Sequence, residues 1–269
     1  MAKTALITGA SSGIGRVTAE LMVARGWRVA VTSRQPQSMV PFSDPSNPTV
    51  IPLDPGSGAA ALQAAADTAR QRLGRIDVLV NNAGYGVFGP LEGTSAEEIQ
   101  RQFGVNLVAV IELIRCVMPV MREQGGGTIV NVSSIGGRTA SPFAALYHAS
   151  KFAIEGFSES FRYEAALHGV RVKLVEPAHF RTGFISRSLF KSAHPAYDAA
   201  FDNYMKWVVK EDEKAPPPDP VAEAILRAAE DPSERLRYAV KGAWILALTR
   251  LLPDRVWRSL MAEGMRRTP

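Results

Sequence analysis

The sequence predicts an α/β fold in which helices cover both faces of a doubly wound parallel sheet. Short apolar segments rich in valine, isoleucine and leucine alternate with longer segments of helical periodicity along the 269 residues. The first apolar segment, TALITG at 4–9, runs directly into a glycine-rich turn and then into a helix, as the first strand of a Rossmann-like sheet does. Because 46% of the residues are hydrophobic, we expect residues 1–269 to form a single domain around one large core.

The first half of the chain supplies the predicted elements up to a fourth strand. After the first strand, a periodic helical segment ends at Gly26, and RVAVTS at 28–33 is the second strand. Six prolines between 34 and 55 exclude a regular helix before the third strand, TVIPLD. A helix at 58–74 and a strand at 76–84 follow.

The second half continues the alternation of helices and strands. The predicted elements are helices at roughly 95–103 and 105–123, a strand at 127–134, a helix at 145–169, a strand at 170–177, a helix at 220–230, a strand at 235–240 and two short helices within 243–264. Apolar, β-branched strands separated by helices are typical of a parallel sheet that is buried on both faces.

Composition and charge argue against several classes of protein. The 31 basic and 26 acidic residues are scattered, without an aromatic–basic motif, so nucleic acid is not a predicted partner. The four histidines do not have the spacing of metal ligands, and no metal site is predicted. The N-terminus lacks the features of a signal peptide, and no apolar run approaches the roughly eighteen residues that span a bilayer. We therefore expect a cytoplasmic protein without a transmembrane segment.

The stretch TGASSGIG at 8–15 predicts a site for a dinucleotide. Gly9, Gly13 and Gly15 allow the backbone to turn tightly and approach a pyrophosphate, to which the next helix presents free N–H groups. A protein that prefers NAD carries an acid about 20 residues further on, but the second strand and its end contain none. Arg34 lies 19 residues beyond Gly15 and can bind a 2′-phosphate through charge-assisted hydrogen bonds. The pattern predicts NADP(H) as the cofactor.

The pentapeptide YHASK at 147–151 places a phenol and an ammonium group on one face of a helix. Residues four apart on a helix are neighbours, so Lys151 lies next to Tyr147. A nearby positive charge favours the phenolate, and we expect it to lower the pKa of Tyr147 toward neutral pH.

Four motifs occur in a fixed order: TGASSGIG (8–15), NNAG (81–84), IVNVSS (129–134) and YHASK (147–151). Together they resemble the short-chain dehydrogenase/reductase family, from Thr4 to at least Pro177, with the closest likeness to the hydroxysteroid and retinol dehydrogenase-like branch. The resemblance implies a catalytic set of Asn106, Ser134, Tyr147 and Lys151. It also implies a cofactor site made of Gly9, Ser11, Ser12, Gly13, Ile14, Gly15, Arg34, Asp54, Asn82, Ala83, Gly84, Tyr147, Lys151, Phe180 and Thr182.

The resemblance implies a hydride transfer between a nicotinamide and a ketone or secondary alcohol. Tyr147 would exchange the proton with the substrate oxygen, Ser134 would donate a hydrogen bond to that oxygen, and Lys151 would hold the nicotinamide ribose. Asn106 would anchor a water molecule that returns the proton through Lys151. Two alternatives remain: a non-catalytic dinucleotide-binding redox sensor or scaffold, and a sugar-nucleotide epimerase or dehydratase on the same fold.

Residues 178–218 are predicted to form a small helical lid over the substrate. This segment lies after the sixth strand, where ligands bind in doubly wound folds. It carries six aromatic residues: Phe184, Phe190, Tyr197, Phe201, Tyr204 and Trp207. We expect some of them to contact a bulky, mostly apolar substrate; the alternative is that they pack into a core of their own.

The helical stretch NLVAVIELIRCVMPVM at 106–121 is apolar around more of its circumference than one buried face requires. It predicts a homodimer or homotetramer in which a second copy covers this helix, as family members commonly pair it. The alternative is that the helix is covered within the monomer.

Overall fold

Seven parallel strands form the central sheet of the protein. The computed structural model describes residues 2–44, 46–253, 255–257 and 259. The strands of the main sheet are β1 (Thr4–Ile7), β2 (Arg28–Ser33), β3 (Thr49–Pro52), β4 (Val78–Asn81), β6 (Gly127–Val132), β7 (Val170–Pro177) and β9 (Arg237–Val240). They lie in the order β3-β2-β1-β4-β6-β7-β9, and the short strands β5 (Gly86–Phe88) and β8 (Leu189–Lys191) pair with each other in parallel. The predicted Rossmann-like fold is confirmed.

Helices precede and follow these strands as the periodicity predicts. They are α1 (Gly13–Ala24), α2 (Ala59–Leu73), α3 (Ala96–Phe103), α4 (Ala109–Glu123), α5 (Ala145–Ala166), α6 (Phe184–Arg187), α7 (Asp198–Lys214), α8 (Asp219–Glu230) and α9 (Ala243–Leu251). The second of the two short helices predicted within 243–264 lies partly outside the described residues.

The sheet has a separate apolar core on each face. Leu6, Leu79 and Ile129 point to one face and pack with buried side chains of α2, α4 and α5. Neighbouring strand residues such as Ile7 and Val80 point to the other face and pack with α1 and α8. Successive strand residues alternate between faces, so most residues of the central strands are apolar and buried.

The sheet order changes direction between β1 and β4. From β1 the chain moves outward through β2 to β3, then returns to β4 and continues through β6, β7 and β9. The loops after β1 and β4 therefore leave in opposite directions and open a crevice at the carboxyl edge of the sheet, which is where doubly wound folds bind ligands.

The two helices predicted at 95–103 and 105–123 are joined. The turn Gly104–Val108 has π-helical hydrogen bonds and connects α3 to α4 without a break. Within this stretch, Ala96–Glu123, an 18-residue window of mean hydropathy 1.8 is long and apolar enough to span a membrane, and half of it is buried inside the protein. Because one face of α4 packs in the core beneath the sheet, most of its apolar surface is already covered within the monomer.

The segment after β7 has both buried and exposed aromatic rings. Phe201 and Tyr204 of α7 pack against Phe143, with ring centroids 5.3 and 5.6 Å apart, in a third apolar cluster that also holds Phe88. For these two residues, the alternative of a separate core is correct. Phe190, Tyr197 and Trp207 are exposed.

Candidate active site

Three positions at the junction of β1 and α1 have room for glycine only. Gly9 and Gly13 adopt positive φ angles of 67° and 57°, which glycine reaches without steric cost. A Cβ atom on Gly15 would lie 2.5 Å from both the Asn82 side-chain nitrogen and the Gly9 carbonyl oxygen. The turn is therefore a cradle of bare backbone at the switch point of the sheet, and its residues fit the pyrophosphate of a dinucleotide.

Asn82 holds this cradle in place. Its side-chain nitrogen donates hydrogen bonds to the carbonyl oxygens of Thr8 and Gly9 at 2.9 and 3.0 Å. The Thr8 hydroxyl in turn accepts hydrogen bonds from the backbone N–H groups of Asn82 and Ala83, both at 3.0 Å. Thr8 was missed as a site residue, although it is the first residue of TGASSGIG. A hydroxyl at the end of the first strand was the available signal.

The N-terminus of α1 faces the same crevice. The Ser12 side chain makes no capping hydrogen bond to the first turn, and Ser11 is exposed while Ile14 is partly buried against the core. A Cβ atom on Gly13 would lie 2.9 Å from the Thr182 carbonyl oxygen, so Thr182 lies directly over the cradle. Uncapped N–H groups at a helix N-terminus attract phosphate.

Phe180 lies differently from Thr182. Its ring is 5% exposed and packs in the core between the sheet and helices α1 and α8. The Phe180 side chain is thus covered by the core and does not face the crevice.

The end of β2 carries no acid. The Ser33 hydroxyl is buried and accepts a hydrogen bond from the Gln35 N–H at 3.2 Å. Arg34 is exposed and has no ion pair within the described ranges. Asp54, at the end of the next strand, accepts a hydrogen bond from the Gly56 N–H at 3.1 Å and lies 3.8 Å from the Arg101 guanidinium.

Tyr147 stands among aromatic rings at the carboxyl edge of the sheet. Its ring centroid is 5.7 Å from that of Phe88 and 5.8 Å from that of Phe184. Burial raises the pKa of the Tyr147 phenol, and a hydrogen bond with the Ser134 hydroxyl lowers it by less. The prediction that Lys151 brings this pKa below its ordinary value was wrong for the protein alone, because the cost of burying the phenolate dominates.

Lys151 lies beneath the Tyr147 ring, with its Nζ atom 5.9 Å from the ring centroid. The ammonium group donates a hydrogen bond to the Val132 carbonyl oxygen at 2.9 Å. Burial lowers the pKa of Lys151 to about 8, and the nearby carboxylate of Glu155 raises it in part. The ammonium form therefore still predominates at neutral pH.

Ser134, and not Ser133, faces Tyr147. Its hydroxyl accepts a hydrogen bond from the Gly136 N–H at 3.0 Å and lies 3.4 Å from the Pro177 carbonyl oxygen. The Ser133 hydroxyl is buried on the other side of the chain, where a Cβ atom on Gly137 would lie 2.7 Å from it. The structure thus places Ser134, the serine that the resemblance implies, next to the phenol.

Asn106 lies in the π-helical turn and is fixed by its side chain. Its oxygen accepts a hydrogen bond from the Tyr85 N–H at 3.0 Å, and its nitrogen donates to the Tyr85 carbonyl at 2.9 Å and to the Ser150 hydroxyl at 3.0 Å. A Cβ atom on Gly84 would lie 3.3 Å from the Asn106 oxygen and 3.9 Å from the Lys151 ammonium. Gly84, Asn106 and Lys151 are therefore neighbours, as the resemblance implies.

His148 supports the loop after Ser134. Its Nδ1 atom lies 2.8 Å from the Gly136 carbonyl oxygen, and its Nε2 atom accepts a hydrogen bond from the Ser141 N–H at 2.9 Å. Burial lowers the pKa of His148, so the ring is neutral and structural. Within residues 2–44, 46–253, 255–257 and 259, no group of three His, Cys, Asp or Glu residues is placed to hold a metal ion.

A buried cluster of charges lies one helical turn beyond Lys151. The Glu155 carboxylate is 2.9 Å from the Arg237 Nε atom, and Glu176 lies 3.4 Å from both Arg237 and Arg138. One oxygen of Glu155 and one of Glu176 are buried without a hydrogen-bond partner among the described residues. Burial, and then repulsion from Glu155, raise the pKa of Glu176 to about 7. No motif in the sequence indicates this cluster.

The fold and this arrangement together define a dinucleotide-binding oxidoreductase. The family model for short chain dehydrogenases matches residues 3–191. The chain is 35% identical, over 82% of its length and 81% of the relative's, to the 3-ketodihydrosphingosine reductase of Bacteroides thetaiotaomicron. The chain belongs to the short-chain dehydrogenase family.

Solved structures agree with this assignment. A short-chain dehydrogenase from Streptomyces avermitilis, 32% identical, superposes with a TM-score of 0.81 over 100% of this chain and 98% of its own. A short-chain dehydrogenase/reductase from Burkholderia phymatum in complex with NAD, 28% identical, gives a TM-score of 0.76 over 93% and 92% of the two chains. The protein therefore has the fold of nicotinamide-dinucleotide oxidoreductases, and the predicted family is confirmed.

Proposed function

We propose that the protein is an NADP(H)-dependent carbonyl reductase or alcohol dehydrogenase that acts on a bulky apolar ketone or secondary alcohol. One observation carries the proposal. The Ser134 hydroxyl and the Tyr147 phenol meet at the carboxyl edge of the sheet, above the buried ammonium of Lys151 and beside the glycine cradle. This arrangement places a proton donor and a second hydrogen-bond donor next to the same substrate oxygen.

The bound nicotinamide would supply or accept the hydride. Tyr147 donates its proton to the substrate oxygen as negative charge develops there, and Ser134 donates a hydrogen bond to the same oxygen. Lys151 keeps its ammonium charge beneath the phenol, which stabilises the phenolate left after proton transfer. Asn106 is hydrogen-bonded to the backbone of Tyr85, in the loop between β4 and β5. These bonds set the position of Gly84 next to Lys151.

The preference for NADP(H) is supported by the electrostatics at the end of β2. Ser33 and Arg34 stand where an acid would repel a 2′-phosphate, and the Arg34 side chain is exposed toward solvent. A guanidinium group binds phosphate through paired, charge-assisted hydrogen bonds. The relative from Burkholderia phymatum is described with NAD, so comparison of the two cofactors is the direct test.

An apolar substrate is supported by the surroundings of Tyr147. The rings of Phe88 and Phe184 flank the phenol, and the chain around Gly86 leaves no room for a side chain between them. Phe190 and Trp207, in the 178–218 segment that we propose as a substrate lid, are exposed. One relative is named as the reductase of a keto compound, 3-ketodihydrosphingosine.

The test is steady-state turnover of a series of ketones under a fixed concentration of NADPH, followed by nicotinamide absorbance. We expect kcat/KM to rise from small aliphatic ketones to multi-ring or long-chain ones. Best turnover of small polar ketones or sugars would contradict the apolar site. Cofactor binding without turnover of any ketone or alcohol would favour a redox sensor.

We also propose a homodimer or homotetramer in the cytoplasm. The support for an oligomer comes from α5, because the apolar surface of α4 is mostly covered within the monomer. Phe152 and Tyr163 of α5 are exposed on one face of that helix, and Leu167, directly after it, is exposed as well. Light scattering that gives a single-chain mass of 29.1 kDa at micromolar concentration would contradict the oligomer.

A further inference from the structure

Helix α9 turns an apolar face to solvent. Trp244, Leu248 and Leu251 are 66%, 36% and 80% exposed, and Ala247 between them is exposed as well. Positions 244, 247, 248 and 251 follow the spacing i, i+3, i+4 and i+7, so they form one continuous stripe. Leu246, on the opposite side, is buried at 6% exposure. The helix is therefore anchored on one side by Leu246 and presents an apolar row to solvent on the other.

A stripe of this kind is unlike scattered surface leucines. Contiguous exposed apolar residues on a helix mark an interaction surface. Val256, shortly after α9, is also exposed at 39%. The surface that requires an occupant thus includes α9 and Val256.

The charge of this part of the chain indicates the occupant. Residues 241–269 contain six basic and two acidic residues, which is a net charge of +4 out of the chain's +5. Lys241 precedes α9, Arg250 lies near its end, and Arg255 follows it. An exposed apolar row that carries tryptophan and leucine, within a basic segment, is the composition of helices that lie in the interface of anionic membranes. A tryptophan ring also prefers the depth of the lipid head groups.

A second copy of the chain fits less well. A symmetric dimer brings the same surface of both subunits together, and here the exposed Lys241 and Arg255 beside the stripe would lie near the same residues of the second copy. Their repulsion opposes such a contact.

The position of α9 relates this surface to the crevice. A Cβ atom on Gly242, which precedes α9, would lie 2.3 Å from the Ile135 side chain and 3.4 Å from the Ala178 side chain. Ile135 follows Ser134, and Ala178 follows β7, so α9 begins at the carboxyl edge of the sheet.

We propose that α9 is a peripheral docking face for an anionic lipid bilayer. Trp244, Leu248 and Leu251 enter the membrane interface, and the exposed basic side chains of Lys241 and Arg255 bind the lipid head groups. The surface is inferred from α9 and its neighbouring residues and does not depend on the proposed reaction.

The test is sedimentation of the full-length protein with vesicles of two compositions. One set is phosphatidylcholine alone, and the other is phosphatidylcholine and phosphatidylglycerol in equal parts. We expect binding to the mixed vesicles at low salt, weak binding to phosphatidylcholine alone, and release at high salt because exposed charges are screened.

Two variants locate the surface. Leu251→Glu should reduce the partition coefficient for mixed vesicles on the order of tenfold or more. The reason is that a leucine side chain that inserts into the membrane interface is replaced by a charged one. Leu91→Glu, at a leucine that is 60% exposed elsewhere on the protein, should bind as the wild type does. Trp244→Glu should behave as Leu251→Glu does, and an unchanged thermal midpoint shows that each variant is folded.

Three results would overturn the proposal: a wild type that does not bind mixed vesicles, equal binding of the wild type to both vesicle sets, or unchanged binding of folded Leu251→Glu. A drop in the light-scattering mass of Leu251→Glu, without vesicles, would assign the stripe to a second copy of the chain instead.

Discussion

The buried carboxyl group of Glu176 makes the stability of the protein depend on pH in an unusual direction. Its side chain is 1% exposed, and one oxygen has no partner among the described residues. Its pKa is raised from 4.5 to about 7, first by burial and then by Glu155. Between these two pH values the folded chain holds a proton that the unfolded chain has released, so stability falls as the pH rises.

The magnitude follows from the size of this shift. Each pKa unit corresponds to about 1.4 kcal/mol, so the destabilisation from Glu176 is absent below pH 4.5 and reaches about 3 kcal/mol above pH 7. In Glu176→Gln, the group that titrates is gone. The free energy of unfolding of the variant, relative to the wild type, should therefore rise by about 2–3 kcal/mol between pH 5 and pH 8.

The assay is thermal or urea unfolding of both proteins at matched pH values. For a chain of this size the change corresponds to a relative shift in Tm of roughly 5–10 °C. Glu159→Gln is the matched control, because Glu159 is an exposed acid of the same cluster whose pKa is lowered by Arg237. This control should gain no stability relative to the wild type as the pH rises. Parallel pH–stability curves for the wild type and Glu176→Gln would refute the reasoning.

Three further predictions concern the candidate site. Tyr147→Phe should lower kcat on the order of 10²–10⁴-fold and leave the Kd for NADPH, measured by fluorescence, unchanged; substantial residual turnover would contradict its role as the proton donor. Arg34→Ala should raise the KM for NADPH about 10–100-fold and leave that for NADH almost alone; equal or better wild-type efficiency with NADH would exclude the NADP(H) preference. Gly15→Ala should cost about 1–3 kcal/mol of stability and weaken cofactor binding, because its methyl group would meet Asn82 at 2.5 Å; a cofactor titration that matches the wild type would show that the cradle can move.

The strand and helix pattern was predictable because the sheet is buried on both faces. Each strand is then a short apolar run, whereas each helix shows apolar residues with a period of about 3.6. Both patterns are local, so strands and helices can be assigned without knowing which distant residues they contact. The glycine cradle was also predictable from the sequence. A position without space for a side chain, such as that of Gly15, requires glycine, so the fold leaves a direct mark in the sequence. The order of the motifs indicated that Ser134, Tyr147 and Lys151 act together, and in the structure both Ser134 and Lys151 lie next to Tyr147.

The electrostatics could not be read from the same motifs. The spacing of Tyr147 and Lys151 gives their proximity, but the pKa of the phenol depends on the rings of Phe88 and Phe184, which arrive from distant parts of the chain. The Glu155–Glu176 pair is assembled from a helix and a strand, with Arg237 from the last strand. No local pattern marks such a cluster, because each partner is unremarkable in its own segment.

The single cysteine also has a practical consequence. Cys116 is 7% exposed inside α4, and burial raises the pKa of its thiol, so little reactive thiolate is present at neutral pH. A cysteine introduced at an exposed site, such as Trp207→Cys on α7, would then be the one thiol that a maleimide dye labels quickly. A single-site fluorescent conjugate can thus be made without first removing the native cysteine, and its emission could report movement of α7 when cofactor or ketone is added.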